Sequence, residues 1–259
     1  MRSAIPTCLQ WLDRFDPMSS NAVQHLMKYR QHYLQHVMLT NALNSCRAST
    51  MSTAPPAKSG LTVIVPVYNE EDCLHQFFKE MRLFLEQTPV NTGILFVNDG
   101  SSDRSATIIR TFCYENTACE LISLKKNSGL STALKAGIDH CRSSFVGYID
   151  ADLQTKPKDF IRLHPYLPAF DMVNGIRHRR SDGFVKRMSS LVANGVRKRL
   201  LADGIHDTCC PLKVLKTEFA KNLPAFKGMH RFIPALVQQA GGRVKQVPVN
   251  HFTRYGSRR

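Results

Sequence analysis

Short β-rich runs alternate with helical segments over the middle of this 259-residue chain. The runs are apolar and bounded by turn residues, and the segments between them repeat apolar residues at the helical period. The predicted strands are Leu61–Val67, Gly93–Asn98, Glu120–Leu124 and Phe145–Ile149, and the predicted helices are Glu71–Gln87, Asp103–Tyr114 and Ser131–Arg142. This order predicts an α/β fold with a Rossmann-like, mostly parallel sheet that is flanked by helices on both faces.

Three of these four predicted strands end in an acidic stretch. The first is followed by Glu70 and Glu71, the second by Asp99, and the fourth by Asp150 and Asp152. Parallel sheets bind ligands at the carboxyl ends of their strands, where carboxylates can receive ribose hydroxyls or a hard divalent cation. One such stretch alone could be a turn and a helix cap, a role that also suits Asp103. Three of them at one edge of a sheet predict a nucleotide or metal site.

Several other classes of site are not supported by the sequence. It contains no GxGxxG stretch and no GxxxxGK[ST] loop, so neither a dinucleotide-cofactor site nor a P-loop is predicted. No apolar run approaches the roughly 18 to 20 residues that a membrane-spanning helix needs, and a secretory signal pattern is missing. The eight cysteines form no CxxC pair, and we interpret them as small buried residues in a reducing cytoplasm.

The positive charge is distributed unevenly along the chain. The formal net charge is +15, yet residues 59–154 hold eight basic and twelve acidic residues, whereas residues 155–259 hold twenty-one basic and six acidic ones. This asymmetry indicates one half-site for a metal or nucleotide and another for an anion. The alternative from a different class is a non-catalytic basic protein that binds nucleic acid. No nucleic-acid partner is expected, because no such motif is present and the acidic strand ends would be unexplained.

Four stretches of sequence carry a resemblance to a known family. They are VPVYNEED, VNDGSSD, KKNSGLSTALKAGI and GYIDADLQTKP, in this order along the chain. They resemble glycosyltransferase family 2, with its GT-A fold, and within it the polyprenyl-phosphate glycosyltransferases. The similarity runs from about Leu61 to the end of the chain. It implies a metal-dependent, inverting enzyme that moves a sugar from a nucleotide-diphosphate sugar to a polyprenyl (dolichyl or undecaprenyl) phosphate.

The resemblance also assigns roles to individual residues. The nucleotide sugar would be bound by Pro66, Tyr68, Glu70, Asp99, Asp150 and Lys213. The metal, Mg²⁺ or Mn²⁺, would be held by Asp150, Asp152 and Gln154, with Asp152 counted as catalytic because the metal stabilises the diphosphate leaving group. The acidic pair that the family has in its second stretch is Asn98 and Asp99 here, so one carboxylate is missing.

The basic half would bind the acceptor and the membrane. The resemblance matches Arg177, Arg187 and Arg254 to the family's acceptor-phosphate arginines. It implies a peripheral protein on the cytoplasmic face of the membrane, where basic residues also meet anionic lipids. A predicted helix over residues 184–201 could lie on the membrane surface or pack into the core. His230 and Arg231 could face the acceptor or begin a helix.

Asp207 resembles the acidic position beside the sugar and is the second predicted catalytic residue. With a phosphate acceptor it would position the sugar, because an ionised phosphate oxygen is already a nucleophile. The alternative is a soluble family 2 enzyme that acts on a hydroxyl of a saccharide or lipopolysaccharide. Asp207 would then be the general base, since a hydroxyl must lose its proton during attack.

The domain organisation follows from a linker. A stretch rich in Ser, Thr, Ala and Pro covers residues 49–60. We predict an N-terminal helical extension and linker over residues 1–58 and a GT-A domain over residues 59–259, divided into a nucleotide-sugar half (59–154) and an acceptor half (155–259). In the extension, His32 and His36 lie one helical turn apart without an acidic partner, which favours a polar helix face over a metal site.

Overall fold

The structure is a computed structural model, and it describes residues 58–177 and 204–255. Its strands are β1 Lys58–Val67, β2 Thr92–Asn98, β3 Cys119–Ser123, β4 Ser143–Tyr148, β5 Met172–Arg177, β6 Lys213–Lys216 and β7 Val244–Val249. Its α-helices are α1 Glu71–Gln87, α2 Ser105–Glu115, α3 Leu130–His140, α4 Thr217–Lys221 and α5 Ile233–Gln239, with 3₁₀ turns at Pro157–Arg162, His164–Tyr166 and Met229–Arg231. The predictions for residues 1–57, for the helix 184–201 and for Arg187 lie outside the described residues.

The seven strands form one sheet in the order β3-β2-β1-β4-β6-β5-β7. Neighbouring strands are parallel except at β6, which runs antiparallel to both β4 and β5. This confirms the predicted mostly parallel sheet, in which β5, β6 and β7 join the four strands predicted above. Because β6 is reversed, its first residue, Lys213, pairs with the last residue of β4, Tyr148. The start of β6 therefore reaches the same edge of the sheet at which β1, β2 and β4 end.

Helices cover both faces of the sheet, as predicted. Val63 and Val65 of β1 belong to the core cluster that includes Phe77 of α1. Ile64 points to the opposite face, because successive side chains of a strand alternate. On that face α3 approaches so closely that a Cβ on Gly137 would lie 2.7 Å from Ile64 Cγ2. The central strands are thus buried on both sides, which explains why they are continuous apolar runs in the sequence.

Side-chain hydrogen bonds lock the loops that follow β1 and β2 to each other. Asn69 has a left-handed backbone (φ 53°), and its Oδ1 accepts a hydrogen bond of 2.7 Å from the amide of Ser102. The amide of Glu70 donates to Ser105 Oγ at 2.9 Å. Asp103 Oδ1 accepts from the amide of Ser105, the first residue of α2, at 2.9 Å, but the N-cap position belongs to Arg104, so Asp103 lies one residue before the cap predicted for it. These contacts hold two neighbouring strand ends in a fixed relation.

The described cysteines are free thiols. Cys73, Cys119, Cys141 and Cys210 are buried, as predicted, but Cys209 is exposed and the prediction for it was wrong. Cys113, the remaining described cysteine, is half-buried. None of the helices in residues 58–177 and 204–255 has the length and apolar character needed to cross a membrane.

Candidate active site

A cavity of about 370 Å³ lies at the carboxyl edge of β1, β2 and β4. The predicted site residues that line it are Pro66, Tyr68, Glu70, Asp99, Asp150, Asp152 and Arg254. Gln154, Arg177, Asp207 and Lys213 do not line it. The structure therefore brings the three acidic strand ends into one cavity and adds an arginine from the far end of the chain.

Asp150 and Asp152 each keep one carboxylate oxygen without a hydrogen bond to the described residues. Asp150 Oδ1 accepts a 2.6 Å hydrogen bond from the Tyr148 hydroxyl, and Asp152 Oδ1 accepts one of 3.1 Å from the amide of Gln154. Burial, and next the neighbouring Asp152 carboxylate, raise the pKa of Asp150 to about 6. Burial likewise raises the pKa of Asp152, to which Glu70 contributes. The cavity thus concentrates negative charge that a cation would relieve.

The donor set of this cavity fits a hard divalent cation. Mg²⁺ and Mn²⁺ prefer oxygen ligands, and the unbonded oxygens of Asp150 and Asp152 belong to one cavity. Across residues 58–177 and 204–255, no group of three or more His, Cys, Asp or Glu side chains is arranged to hold a metal. The two aspartates would therefore supply part of the coordination, and oxygens of a ligand and of water would complete it. Gln154, predicted as a metal ligand, contributes here through its backbone N–H, which donates to Asp152 Oδ1.

The backbone between Asp152 and Gln154 has an unusual conformation. Leu153 adopts a left-handed conformation with φ 60°, which side chains other than glycine seldom adopt. Its side chain is 7% exposed and packs in the core, while Asp152 just before it lines the cavity. The local strain is therefore associated with turning an acidic residue outward and an apolar one inward.

Asp99 organises the loop that follows β3. Its Oδ1 accepts from the amide of Ser128 and its Oδ2 from the amide of Gly129, both at 2.8 Å. Asn127 and Gly129 of this loop line the cavity, although the sequence reasoning assigned them no role. Their position just after a strand end, at the edge where the other three loops were recognised, is the signal that could have identified them.

Asn98 braces the turn beside Asp99 and does not line the cavity. Its Oδ1 accepts from the amide of Ser101 at 3.0 Å, and its Nδ2 donates to Ser123 Oγ at 3.3 Å. An amide side chain can accept and donate at once, which a carboxylate cannot. The missing carboxylate at this position is thus explained by a contact between β2 and β3.

Arg254 forms an ion pair with Glu70 at the cavity. Its Nη2 lies 2.5 Å and 2.6 Å from the two carboxylate oxygens. Burial opposes the charged form of Arg254, but the hydrogen bonds to Glu70 outweigh it and raise the pKa of the guanidinium. The segment around Arg254 is held by the backbone, since Phe252 N donates to Gln154 O at 2.9 Å and Tyr255 N to Asp152 O at 3.2 Å. The segment 251–255 therefore lies directly on the loop that carries Asp152.

Arg177 and Asp207 are joined in a bidentate ion pair outside the lining of the cavity. Arg177 Nε and Nη2 donate to the two carboxylate oxygens at 2.8 and 2.9 Å, and the side chains are only 11% and 8% exposed. Lys213 is also buried, its Nζ donates to the carbonyl of Cys210, and it lies 5.8 Å from the centre of the Tyr148 ring. Burial lowers the pKa of Lys213. A residue predicted to bind phosphate and one predicted beside the sugar are therefore partners of each other.

His230 lies in the 3₁₀ turn that precedes α5, which matches the helix-start alternative. Its Nδ1 is 3.0 Å from Ser131 Oγ, and that oxygen accepts from the amide of Gly228 at 3.0 Å. Burial, with the charges of Arg231 and Lys213, lowers the pKa of His230 to about 4, so the ring is neutral near pH 7.

Two curated proteins are similar to this chain over most of its length. Dodecaprenyl-phosphate galacturonate synthase of Rhizobium johnstonii is 31% identical over 202 residues, which are 75% of this chain and 59% of that protein. Undecaprenyl-phosphate 4-deoxy-4-formamido-L-arabinose transferase of Edwardsiella ictaluri is 31% identical over 196 residues, 75% of this chain and 60% of that protein. The chain therefore spans about three fifths of the length of these curated relatives.

The fold is that of a solved glycosyltransferase. The mannosyltransferase PcManGT from Pyrobaculum calidifontis, solved with GDP-Man and Mn²⁺, matches with a TM-score of 0.57 and 16% identity. The match covers 91% of this chain and 70% of that one and confirms the predicted GT-A fold. The model of the family described as Glycosyl transferase family 2 matches residues 62–223. The chain belongs to glycosyltransferase family 2.

Proposed function

We propose that this protein transfers a sugar from a nucleotide-diphosphate sugar to a polyprenyl phosphate, with inversion at the sugar carbon. The observation that carries the proposal is the single cavity in which two aspartates, the ends of β1 and β2, and Arg254 meet. The names of the two curated relatives, both polyprenyl-phosphate enzymes, support the acceptor class. The nucleotide base and the sugar would be chosen by the shape of the cavity.

The donor would lie with its base near Pro66 and Tyr68 and its diphosphate near Asp150 and Asp152. Tyr68 is 43% exposed and could cover the base, while the loop fixed by Asp99 forms the opposite wall. Mg²⁺ or Mn²⁺ bound by the two aspartates would neutralise charge on the diphosphate and stabilise it as a leaving group. Glu70 also lines the cavity, and its carboxylate would accept hydrogen bonds from the ribose hydroxyls once its ion pair with Arg254 opens.

Transfer itself would be a single displacement. An oxygen of the acceptor phosphate forms a bond to the sugar C1, and the bond from C1 to the diphosphate oxygen breaks with its electron pair leaving on the diphosphate. Arg254 carries the charge and the fork of donors needed to hold the acceptor phosphate beside the donor. Because the nucleophile is already an anion, no residue has to remove a proton.

The state of Asp207 favours a phosphate acceptor over a hydroxyl acceptor. A hydroxyl would need a general base, and Asp207 was the candidate for that role. Its two oxygens both accept hydrogen bonds from the Arg177 guanidinium, whose positive charge makes Asp207 a weaker proton acceptor. We propose that Asp207 and Lys213 shape the sugar side of the site, and that Arg177 reaches the acceptor phosphate only by exchanging its carboxylate partner.

The acceptor places the reaction at a membrane surface, and we propose that the protein binds peripherally to the cytoplasmic face. Residues 155–259 contain the whole net positive charge of the chain, which suits an anionic surface. Phe252 and Tyr255, on either side of Arg254, are 40% and 51% exposed and would face the lipid side of the acceptor. Arg187, a third proposed phosphate ligand, lies outside the described residues.

A transfer assay tests the proposal. UDP and GDP sugars would be supplied with undecaprenyl phosphate in detergent and with Mg²⁺ or Mn²⁺, and charged glycolipid would be detected by thin-layer chromatography. We expect a lipid-phosphate-dependent product that EDTA abolishes. Asp152→Asn should reduce turnover by about 100-fold or more, whereas Asp139→Asn, at an exposed carboxylate paired with Lys135, should not. Equal activity in the Asp152 variant, or transfer to a saccharide without lipid phosphate, would overturn it.

A further inference from the structure

We infer that Tyr148 is a positioning residue that fixes Asp150 for metal binding; this inference rests on the proposed function. The Tyr148 hydroxyl donates to Asp150 Oδ1 at 2.6 Å, within the range of short hydrogen bonds from a hydroxyl to a carboxylate. The hydroxyl thereby occupies one oxygen of Asp150 and leaves the other for a cation. Neither the acidic stretches of the sequence nor the resemblance assigned a role to Tyr148.

The position of the tyrosine is itself fixed by packing. Tyr148 is the last residue of β4 and only 3% of its surface is exposed. It pairs in register with Lys213 of the antiparallel strand β6, whose Nζ lies over the ring at 5.8 Å from its centre. A buried ring on a strand that is paired on both sides has little rotational freedom, so its hydroxyl presents a fixed donor to Asp150.

Asp152 is held in a comparable way, but by a different kind of donor. Its Oδ1 accepts a hydrogen bond from the backbone N–H of Gln154, two residues further along the same loop. Each aspartate therefore has one oxygen bound to the protein and one oxygen without a partner in the described residues. Asp152 depends on local backbone, whereas Asp150 depends on a single side-chain hydroxyl that one substitution removes.

Removal of the Tyr148 hydroxyl should weaken metal binding more than it lowers the stability of the fold. Partners that hydrogen-bond to metal-ligating groups typically contribute about 10- to 100-fold in metal affinity. Tyr148→Phe keeps the ring over Lys213 and its packing, and it removes only the donor. If the hydroxyl had merely a structural role, the substitution would change thermal stability and leave the affinity for the metal as it was.

The test compares Tyr148→Phe with Tyr114→Phe, a matched control at a side chain that is 92% exposed. The melting temperature of the wild-type protein is first measured with UDP and with GDP. Mn²⁺ binding is then titrated by electron paramagnetic resonance in the presence of the nucleotide that raises the melting temperature. The same nucleotide is also titrated in EDTA. We expect Tyr148→Phe to weaken Mn²⁺ binding by about 10- to 100-fold and to leave metal-free nucleotide binding within about twofold, with no change in the control.

The possible outcomes separate this inference from the proposed function. If the wild-type protein binds Mn²⁺ and Tyr148→Phe binds it equally well, the positioning role is wrong and the proposed function stands. An equal loss of Mn²⁺ binding and metal-free nucleotide binding would also refute the role, because it would indicate general damage to the cavity. If the wild-type protein binds no Mn²⁺ with either nucleotide, the metal dependence in the proposed function fails, and the role of Tyr148 fails with it.

Discussion

The ion pair between Arg254 and Glu70 should stabilise the fold measurably. It joins residues 184 positions apart, and Nη2 of Arg254 contacts both carboxylate oxygens of Glu70. The pair ties the segment 251–255 to the first turn after β1, so its loss should loosen the cavity wall as well as remove an attraction. We consider Arg254→Met, Glu70→Gln and the double variant, which together form a double-mutant cycle.

The expected magnitude follows from distance and exposure. Two unit charges about 4 Å apart interact with about 4 kcal/mol at an effective dielectric constant of about 20. The side chains of Arg254 and Glu70 are 32% and 19% exposed, so water screens part of this attraction. We therefore expect a coupling free energy of about 1–2 kcal/mol, above the range of roughly 0.2–1 kcal/mol that is typical of exposed pairs.

Urea denaturation of the four proteins measures the coupling, and a second ion pair provides the control. Arg82 and Glu115 are 3.1 Å apart, but their side chains are 50% and 56% exposed. Their cycle should give less than about 0.5 kcal/mol. A coupling between Arg254 and Glu70 that is no larger than that of the control pair would refute the reasoning from burial.

Two further predictions concern the fold. As pH falls from about 6.5 to about 4, the unfolded chain should take up a proton at His230 before the folded protein does, because the folded pKa is lowered to about 4. The contribution of His230 should lower the free energy of unfolding by about 1–3 kcal/mol across this window, and His230→Gln should lack this contribution; an equal pH dependence in urea denaturation of both proteins would contradict this. Gly100→Ala should cost about 2–4 kcal/mol, because φ is 67° and the new Cβ would lie 2.4 Å from the carbonyl carbon of Lys126. Gly241→Ala, at φ 84° with no atom within 4 Å, should cost only about 1–2 kcal/mol, and equal losses in thermal or urea denaturation would show that the contact at Gly100 is unimportant.

The first half of the fold could be predicted because its strands are buried on both faces. Such strands read as unbroken apolar runs, and β1 to β4 lie within three residues of their predicted bounds, while α1 has the predicted bounds. The strand β6 could not be predicted in this way. It has four residues, two of them lysines, and it is a strand because β4 and β5 lie on either side of it. β7 has a proline inside it, which its position at the edge of the sheet tolerates.

The site was predictable where it depends on strand ends and not where it depends on distant partners. Asp99, Asp150 and Asp152 follow apolar runs, so their meeting at one edge follows from a parallel sheet. The pairing of Arg254 with Glu70 depends on residues 251–255 lying against the loop that carries Asp152, which no local pattern in the sequence reveals. A sequence shows which charges exist, whereas the fold determines which of them neutralise each other.

The reversed strand β6 has a consequence for synthesis of the chain. Translation produces β4 about 65 residues before β6, and until β6 arrives the edge of β4 that it will cover has open backbone hydrogen-bonding groups. During this interval β1 to β4 can already assemble through the helices that connect them, but the nascent sheet ends in a strand that could pair with another chain. We therefore expect a ribosome stalled just after β5 to present an intermediate that needs chaperone protection, and one stalled after β6 has left the exit tunnel to present a sheet in which this edge of β4 is paired.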